Sequence, residues 1–301
     1  MNYIRSIILP IAMLLAVLFH RWCGAVYFLA PYLVFTMLFM AYTAIDVKKM
    51  RISKLDIYLI LAQTILVVVP YFLLRLCGVA DELCDSLLVV CLTPVAASSV
   101  VVSCALGASR ETVTTFTILD NLYIALLAPF LFAITGRAEA GGYWASFWTI
   151  LCRIAPQIVF PFFAAMLTQL LLPKLNGWFV KNKGKSLYVW ALTLTIVLGK
   201  TFHDIVTAPE RNWTMLSIQA GLSVVMCGVL FAIGKWLGAK RKEKMAGGQL
   251  LGQKNTSFGI WMGNEFLSPM SSVACALYSV WQNIFNSWQM YQHDKRHEPE
   301  T

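Results

Sequence analysis

The chain has 301 residues, of which 58% are hydrophobic and 13% are charged, and its formal net charge is +9 at pH 7. A soluble domain carries roughly 25% charged residues, so these side chains are too few to cover a water-facing surface. The composition excludes a sizeable soluble domain and indicates an integral membrane protein embedded in the lipid bilayer.

Apolar segments follow one another along the chain, each close to the length of about 20 residues that a membrane-spanning helix requires. The ten predicted spans are 4–20, 25–45, 56–77, 83–108, 112–135, 146–172, 186–205, 213–238, 246–266 and 268–291. The first is predicted to be a retained helix rather than a signal peptide, because no small-residue cleavage site follows it and another apolar run begins at Val26. We therefore expect one all-α membrane domain over residues 1–301.

Lysine and arginine residues concentrate in alternate loops between the predicted spans. Both termini and one set of loops contain seventeen of these residues, and the opposite loops contain six, with Lys254 set aside. Positive charge is typical of cytoplasmic loops, so the sequence predicts a multi-pass protein of the cell (inner) membrane with both termini in the cytoplasm. The same pattern accounts for the net charge of +9 without a nucleic-acid partner.

Two of the predicted spans are interrupted near the middle of the membrane. In the fourth span Pro94 removes a backbone donor, and the small polar residues Ser98, Ser99 and Ser103 follow it. In the ninth span glycines, amides and hydroxyls surround Lys254. A lysine at the bilayer centre costs about 3 kcal/mol, so Lys254 is predicted to face a partner or a cavity.

The interrupted spans occupy the fourth position in each half of the chain. Broken helices at matching positions of two halves point to the central binding site of a transporter, and an odd number of spans in each half makes the halves inverted. Residues 1–135 and 143–291 are predicted to be these repeats, and residues 292–301 a short cytoplasmic tail. Taken singly, the features have simpler explanations: proline kinks are common in membrane helices, and buried serines often bond to the preceding turn.

Residues 92–99 (LTPVAASS) and 252–256 (GQKNT) resemble the two crossover motifs of the bile acid:sodium symporter family, and residues 278–283 (YSVWQN) resemble its last helix. The resemblance covers nearly the whole chain. It implies ten helices in two inverted five-helix repeats, with a panel of spans 1, 2, 6 and 7 on a core of the other six. It also implies that the broken helices 4 and 9 cross in the core, and that the protein moves organic anions, usually with two sodium ions.

The resemblance further implies a substrate site at the crossing of the broken helices. Helix N-termini suit carboxylates and sulfonates because their N–H groups are unpaired, and two half-helices are predicted to begin near Ala96 and Asn255. The candidate substrate-binding residues are Ala97, Ser98, Asn255, Thr256, Gln282 and Asn283. Gln282 and Asn283 are equally well explained as hydrogen-bonding contacts between helices.

Two departures from the family's pattern put sodium coupling in question. A glutamate that both sodium sites share in the family corresponds to Leu250, and a glutamine of the second site corresponds to Lys254. Sodium requires oxygen ligands and negative charge, so we interpret Lys254 as a surrogate for the second sodium ion, beside Gln63. The residues considered for an ion or its surrogate are Gln63, Ser98, Ser99, Thr112, Thr117, Asp120 and Lys254.

Asp120 has two interpretations in this scheme. As an intramembrane carboxylate it is a partner for Lys254 or a carrier of protons. The alternative is a position nearer the membrane surface. The sequence thus leaves sodium, protons or no ion as the coupling species.

The sequence as a whole favours a secondary active transporter of a small organic anion, working by alternating access. A non-transporting membrane sensor or a channel on the same scaffold is the alternative. An enzyme is disfavoured, because no carboxylate pair, His-Glu motif or Ser-His set falls at one membrane depth.

Overall fold

The computed structural model describes residues 2–45, 50–135, 142–207 and 212–297. Within these ranges the chain is almost entirely α-helical and contains no β-strand. The described helices are α1 Asn2–Leu18, α2 His20–Val26, α3 Ala30–Tyr42, α4 Lys54–Leu76, α5 Asp81–Leu92, α6 Ser99–Ala105, α7 Arg110–Ile134, α8 Gly142–Leu171, α9 Pro173–Lys181, α10 Ser186–Thr207, α11 Trp213–Ala239, α12 Lys244–Gly252, α13 Thr256–Phe266 and α14 Pro269–His297.

Six helical segments of the described chain are long and apolar enough to cross a membrane. They are His20–Tyr42, Lys54–Leu76, Arg110–Ile134, Gly142–Leu171, Ser186–Thr207 and Trp213–Ala239. Their length and composition make the chain an all-α membrane protein. Of the charges behind the predicted orientation, Lys48, Lys49, Arg137 and Arg211 lie outside the described residues.

Each predicted span lies on a helix or on a pair of helices. The fourth span is divided into α5 and α6, and the ninth into α12 and α13. α14 continues to His297, so residues 292–297 of the predicted tail are helical, while residues 298–301 lie outside the described residues. The apolar runs therefore predicted where these helices lie, with ends differing by a few residues, whereas α9 lies between the sixth and seventh predicted spans and was not predicted.

The two interruptions have separate local causes. α5 ends at Leu92 because Thr93, directly before Pro94, leaves the helical conformation (φ −58°, ψ 128°). α12 ends at Gly252, and Gln253 is extended (φ −91°, ψ 97°). No proline is present at the second break, so its geometry depends on contacts made elsewhere in the fold.

The helices pack in two groups. The first helix group consists of α1, α2, α3, α8 and α10, and the second consists of α4 to α7 and α11 to α14, which surround the two breaks. Polar side chains reinforce the first group: Thr195 Oγ1 donates to the backbone oxygen of Ala12 (3.2 Å), and Gln169 Nε2 donates to those of Tyr42 (3.1 Å) and Ile45 (2.9 Å). The groups meet where α7 packs on α8, and where α10 packs on α13 and α14.

Glycines allow α11 and α12 to approach backbone to backbone. A Cβ atom on Gly247 would press on the backbone of Gly234 and Gly238, and a Cβ atom on Gly234 would press on the backbone of Gly247. Small residues at such positions are typical of close helix packing in membranes. The contact fixes α12, and with it the second break, against the C-terminal part of α11.

Candidate functional site

The two breaks meet each other in the middle of the second helix group. The N–H of Ala96 donates to the backbone oxygen of Gln253 (2.9 Å), and the N–H of Asn255 donates to that of Pro94 (2.8 Å). Val95 and Lys254 thus face each other in a one-residue antiparallel bridge. Backbone groups that the broken helices leave open find partners across this bridge, as membrane burial requires.

Side chains from two further helices complete the bridge. The N–H of Val95 donates to Asp120 Oδ2 (2.6 Å), and Asn121 Nδ2 donates to the backbone oxygen of Val95 (3.4 Å). On the other side the N–H of Lys254 donates to Gln282 Oε1 (2.8 Å), and Gln282 Nε2 donates to the backbone oxygen of Lys254 (3.1 Å). Both the N–H and the backbone oxygen of each bridge residue are therefore hydrogen-bonded to side chains. Those on Val95 come from α7, and the one on Lys254 comes from α14.

The side chain of Lys254 is fully buried and turns toward α4 and α7. Lys254 is 1% exposed, and Gln63 and Asp120 are 0% exposed. With its oxygen toward the lysine and its nitrogen toward the carboxylate, the Gln63 amide accepts from Lys254 Nζ (3.2 Å) and donates to Asp120 Oδ1 (3.0 Å). Asp120 is therefore enclosed by protein beside the bridge, with the Gln63 amide between its carboxylate and the ammonium of Lys254.

Lys254, Gln63 and Asp120 together form what we call the buried relay. It brings one positive and one negative side chain to the bridge, so the site is close to neutral when both are ionised. Isolated buried charges are costly, and a paired and hydrogen-bonded arrangement offsets much of that cost. The relay also links two helices to the second break, because Gln63 lies on α4, Asp120 on α7 and Lys254 between α12 and α13.

Unpaired polar atoms lie at the start of α13. Asn255 Oδ1 caps the helix by accepting from the N–H of Phe258 (3.4 Å). Within the described residues, Asn255 Nδ2, Thr256 Oγ1 and Ser257 Oγ have no hydrogen-bond partner, although these residues are 3%, 1% and 0% exposed. Donors at a helix N-terminus attract anions, so this end of α13 is suited to a carboxylate or a sulfonate.

The remaining candidate residues for substrate lie around the bridge in different environments. Ser98 is exposed at the start of α6 and accepts from Gln253 Nε2 (2.9 Å), and the neighbouring Ala97 is half-buried. Asn283 is half-buried, and its Nδ2 atom donates to the backbone oxygen of Ser279 (2.6 Å). Gln282 has both ends of its amide engaged by the backbone of Lys254, as described above.

The residues considered for sodium do not fit an ion beside Gln63, because the ammonium of Lys254 already takes the amide oxygen. Thr117 Oγ1 donates to the backbone oxygen of Val113 (2.7 Å), and Thr112 is half-buried at the start of α7. Ser99 is buried, and its Oγ has no partner within the described residues. The described chain contains no cluster of three or more His, Cys, Asp or Glu side chains for another metal.

Sequence reasoning missed two parts of the site. Asp120 was considered only as a partner of Lys254 or a proton carrier, whereas its other oxygen also holds the N–H of Val95. Tyr278 is fully buried, and its hydroxyl donates to the backbone oxygen of Gly252 (2.5 Å), the last residue of α12. The signal for Tyr278 was its place in the segment that resembles the family's last helix.

No protein-family model matches the chain, and no curated protein matches it. Conclusions about function therefore rest on the bridge, the buried relay and the open donors of α13.

Proposed function

We propose that the protein is a secondary active transporter of a small organic anion, bile acid-like or a simpler carboxylate or sulfonate, similar to the bile acid:sodium symporter family. The observation that carries the proposal is the meeting of two broken helices at Val95 and Lys254, with unpaired, buried donors beside it. Irregular backbone at membrane depth is tolerated where it is enclosed by protein or lines a cavity, and transporters bind their substrates at such places.

The proposal includes ten spans in two inverted halves. α1, α2 with α3, α4, α5 with α6, and α7 would form the first half, and α8, α10, α11, α12 with α13, and α14 the second. The side chains that hold the two breaks support this assignment. Asp120, on the fifth span of the first half, holds Val95, and Gln282, on the fifth span of the second half, holds Lys254. The first helix group would act as the panel, and the second as the core that moves against it.

The anion is proposed to bind at the start of α13. Thr256 Oγ1, Ser257 Oγ and Asn255 Nδ2 would donate to it. Lys254 contributes its charge to the relay rather than to a direct contact, since its ammonium is turned toward Gln63 and Asp120. A neutral, fully bonded bridge keeps the donors in place without competing for the anion.

Transport is tested by exchange in proteoliposomes. Purified protein should support saturable uptake of a labelled carboxylate and counterflow against unlabelled anion inside. Thr256→Val should lower exchange by about tenfold, since a hydrogen bond to a charged group is worth about 1.5–3 kcal/mol. The matched control is Thr193→Val, because the buried Thr193 hydroxyl only bonds to the preceding turn.

The outcome of the exchange assay separates the candidate functions. Flux that neither saturates nor shows counterflow would instead identify a channel. Saturable binding of the anion without flux would identify a sensor on the same scaffold.

The buried relay carries a second, separable part of the proposal. Because the ammonium of Lys254 replaces a cation beside Gln63, uptake should be equally fast in sodium and in potassium. Lys254→Gln removes that charge and should make stability or uptake respond to sodium. A strong, saturable sodium dependence that is unchanged in Lys254→Gln would refute the surrogate role while leaving the carrier function intact.

A further inference from the structure

A cavity of about 320 Å³ lies away from the bridge, where the two helix groups meet. Its walls come from the junction of α2 and α3, from α8 and from α13, and they include Tyr27, Phe28, Arg153, Trp261 and Glu265. Trp261 follows Asn255 by six residues on α13, which is about 9 Å along a helix axis. The cavity is therefore distinct from the open donors at the start of that helix.

An ion pair forms the polar end of this cavity. Arg153 Nη1 donates to Glu265 Oε1 (2.9 Å), which joins α8 of the first helix group to α13 of the second. The two side chains are 53% and 32% exposed. A guanidinium has five N–H donors, and this bond uses one of them, so Arg153 retains donors that can bind an additional acceptor.

The rest of the lining is mostly apolar, and its polar groups include the amide of Gln157 and the hydroxyl of Tyr27. Phe28 and Trp261 provide aromatic surface, while Gln157 presents an oxygen that is buried and has no partner among the described residues. Cavities of about 300–1,000 Å³ with apolar walls and few polar groups are typical of small-molecule sites. The volume here, at the lower end of that range, suits a molecule of about one ring with a short charged side chain.

We infer that this cavity is a second binding site, for a small amphipathic organic anion whose carboxylate or sulfonate binds Arg153. The ring or chain of the ligand packs on Trp261 and Phe28. Gln157 accepts an O–H or N–H from a hydroxylated or amidated ligand. Glu265 shares Arg153 with the ligand and, through its negative charge, competes with the anion for the guanidinium, which weakens binding without blocking the site.

The competition gives the two members of the ion pair opposite effects. Arg153→Gln removes the group that binds the anion and should weaken binding by tenfold or more. Glu265→Gln removes the competitor while keeping a similar shape, and should tighten binding by about threefold to tenfold, the equivalent of about 0.7–1.4 kcal/mol. A purely structural ion pair predicts equal losses in both variants.

The experiment measures binding of 3-phenylpropionate to the full chain in phosphatidylcholine nanodiscs, by calorimetry and by tryptophan fluorescence. Arg75→Gln, in the exposed Arg75–Asp81 ion pair, is the matched control and should not change the affinity. Arg153→Lys, which keeps the positive charge, should retain part of the binding and guards against a folding defect in Arg153→Gln.

The result also separates this site from the bridge. Thr256→Val should leave binding at Arg153 unchanged, whatever its effect on transport. If Thr256→Val abolishes binding while Arg153→Gln does not, or if Glu265→Gln weakens binding as much as Arg153→Gln, the second site is refuted. A ring-hydroxylated analogue should bind more tightly than 3-phenylpropionate in the original chain, and Gln157→Leu should remove that difference.

Discussion

At each of the two breaks, backbone groups lose their helical hydrogen-bond partners, and different side chains replace those partners. At the first, Pro94 stops the helix and the carboxylate of Asp120 holds the N–H of Val95. At the second, no proline is present, and the neutral amide of Gln282 holds both polar groups of Lys254. One break thus brings a negative side chain and the other a positive one, so the bridge is electrically balanced only when both are assembled.

The largest expected effect comes from removing one of these charges. Lys254→Met leaves the carboxylate of Asp120 buried without its counter-charge, which should cost about 3–5 kcal/mol of unfolding free energy. Asp120→Asn should destabilise the protein for the converse reason, while its amide oxygen can still accept from Val95. Unfolding by denaturing detergent in mixed micelles measures each variant.

The double variant provides the control. Lys254→Met combined with Asp120→Asn leaves no unbalanced charge, so its cost should be clearly smaller than the two single costs added together. Additive costs would mean that the two side chains do not stabilise each other, and that the balance between the breaks has no energetic meaning.

The next effect tests how the second break is held. Gln282→Met keeps the side-chain volume but leaves the N–H of Lys254 unpaired, at about 1–3 kcal/mol. It also removes one of the two hydrogen bonds to the backbone oxygen of Lys254, which retains the bond from the N–H of Thr256. The loss should appear in the unfolding free energy without any ligand. Asn283→Leu, which loses only a bond to the preceding turn of α14, is the comparison variant.

A different result is expected if Gln282 serves the substrate. In that case Gln282→Met would preserve stability and weaken only anion binding. The two outcomes distinguish a residue that positions the bridge from one that contacts the ligand.

The smallest effect concerns the helices that lead into the breaks. α12 lies on α11 backbone to backbone through Gly234 and Gly247, whereas α4 and α5 contain no glycine and meet through larger side chains. Gly247→Ala should cost about 1–2 kcal/mol by overpacking this contact. Gly228→Ala on the open face of α11 meets nothing within 4 Å and should be neutral or slightly stabilising in the same thermal-unfolding assay. Equal effects at the two glycines would show that close packing is not what fixes the second break.

Much of the fold follows from local sequence features. The apolar runs predicted the helices, Pro94 predicted the first break, and the polar stretch around Lys254 predicted the second. The sequence also placed Gln63 beside Lys254, through the family resemblance. Each of these depends on residues close together in the chain or on a motif of a few residues.

The hydrogen bonds that hold the two breaks could not be predicted from local sequence features. The hydrogen bond between Val95 and Asp120 depends on how distant helices pack. The same is true of the two hydrogen bonds between the Gln282 amide and the backbone of Lys254. A carboxylate or amide on an apolar helix indicates that a partner exists, but its spacing does not say whether that partner is a side chain, a backbone group or a ligand. The cavity at Arg153 likewise depends on the meeting of α8 with α13.

The bridge has a consequence for the order in which the protein is made. Ala96 and Pro94 bond to residues that lie about 160 positions later in the chain, and synthesis at about 5–20 residues per second separates the two by roughly 8–30 s. Throughout that interval the first half resides in the membrane with polar backbone groups that only the second half can saturate. Until the ribosome delivers that half, water or the insertion machinery must accommodate those groups, which makes the nascent first half a target for membrane quality control.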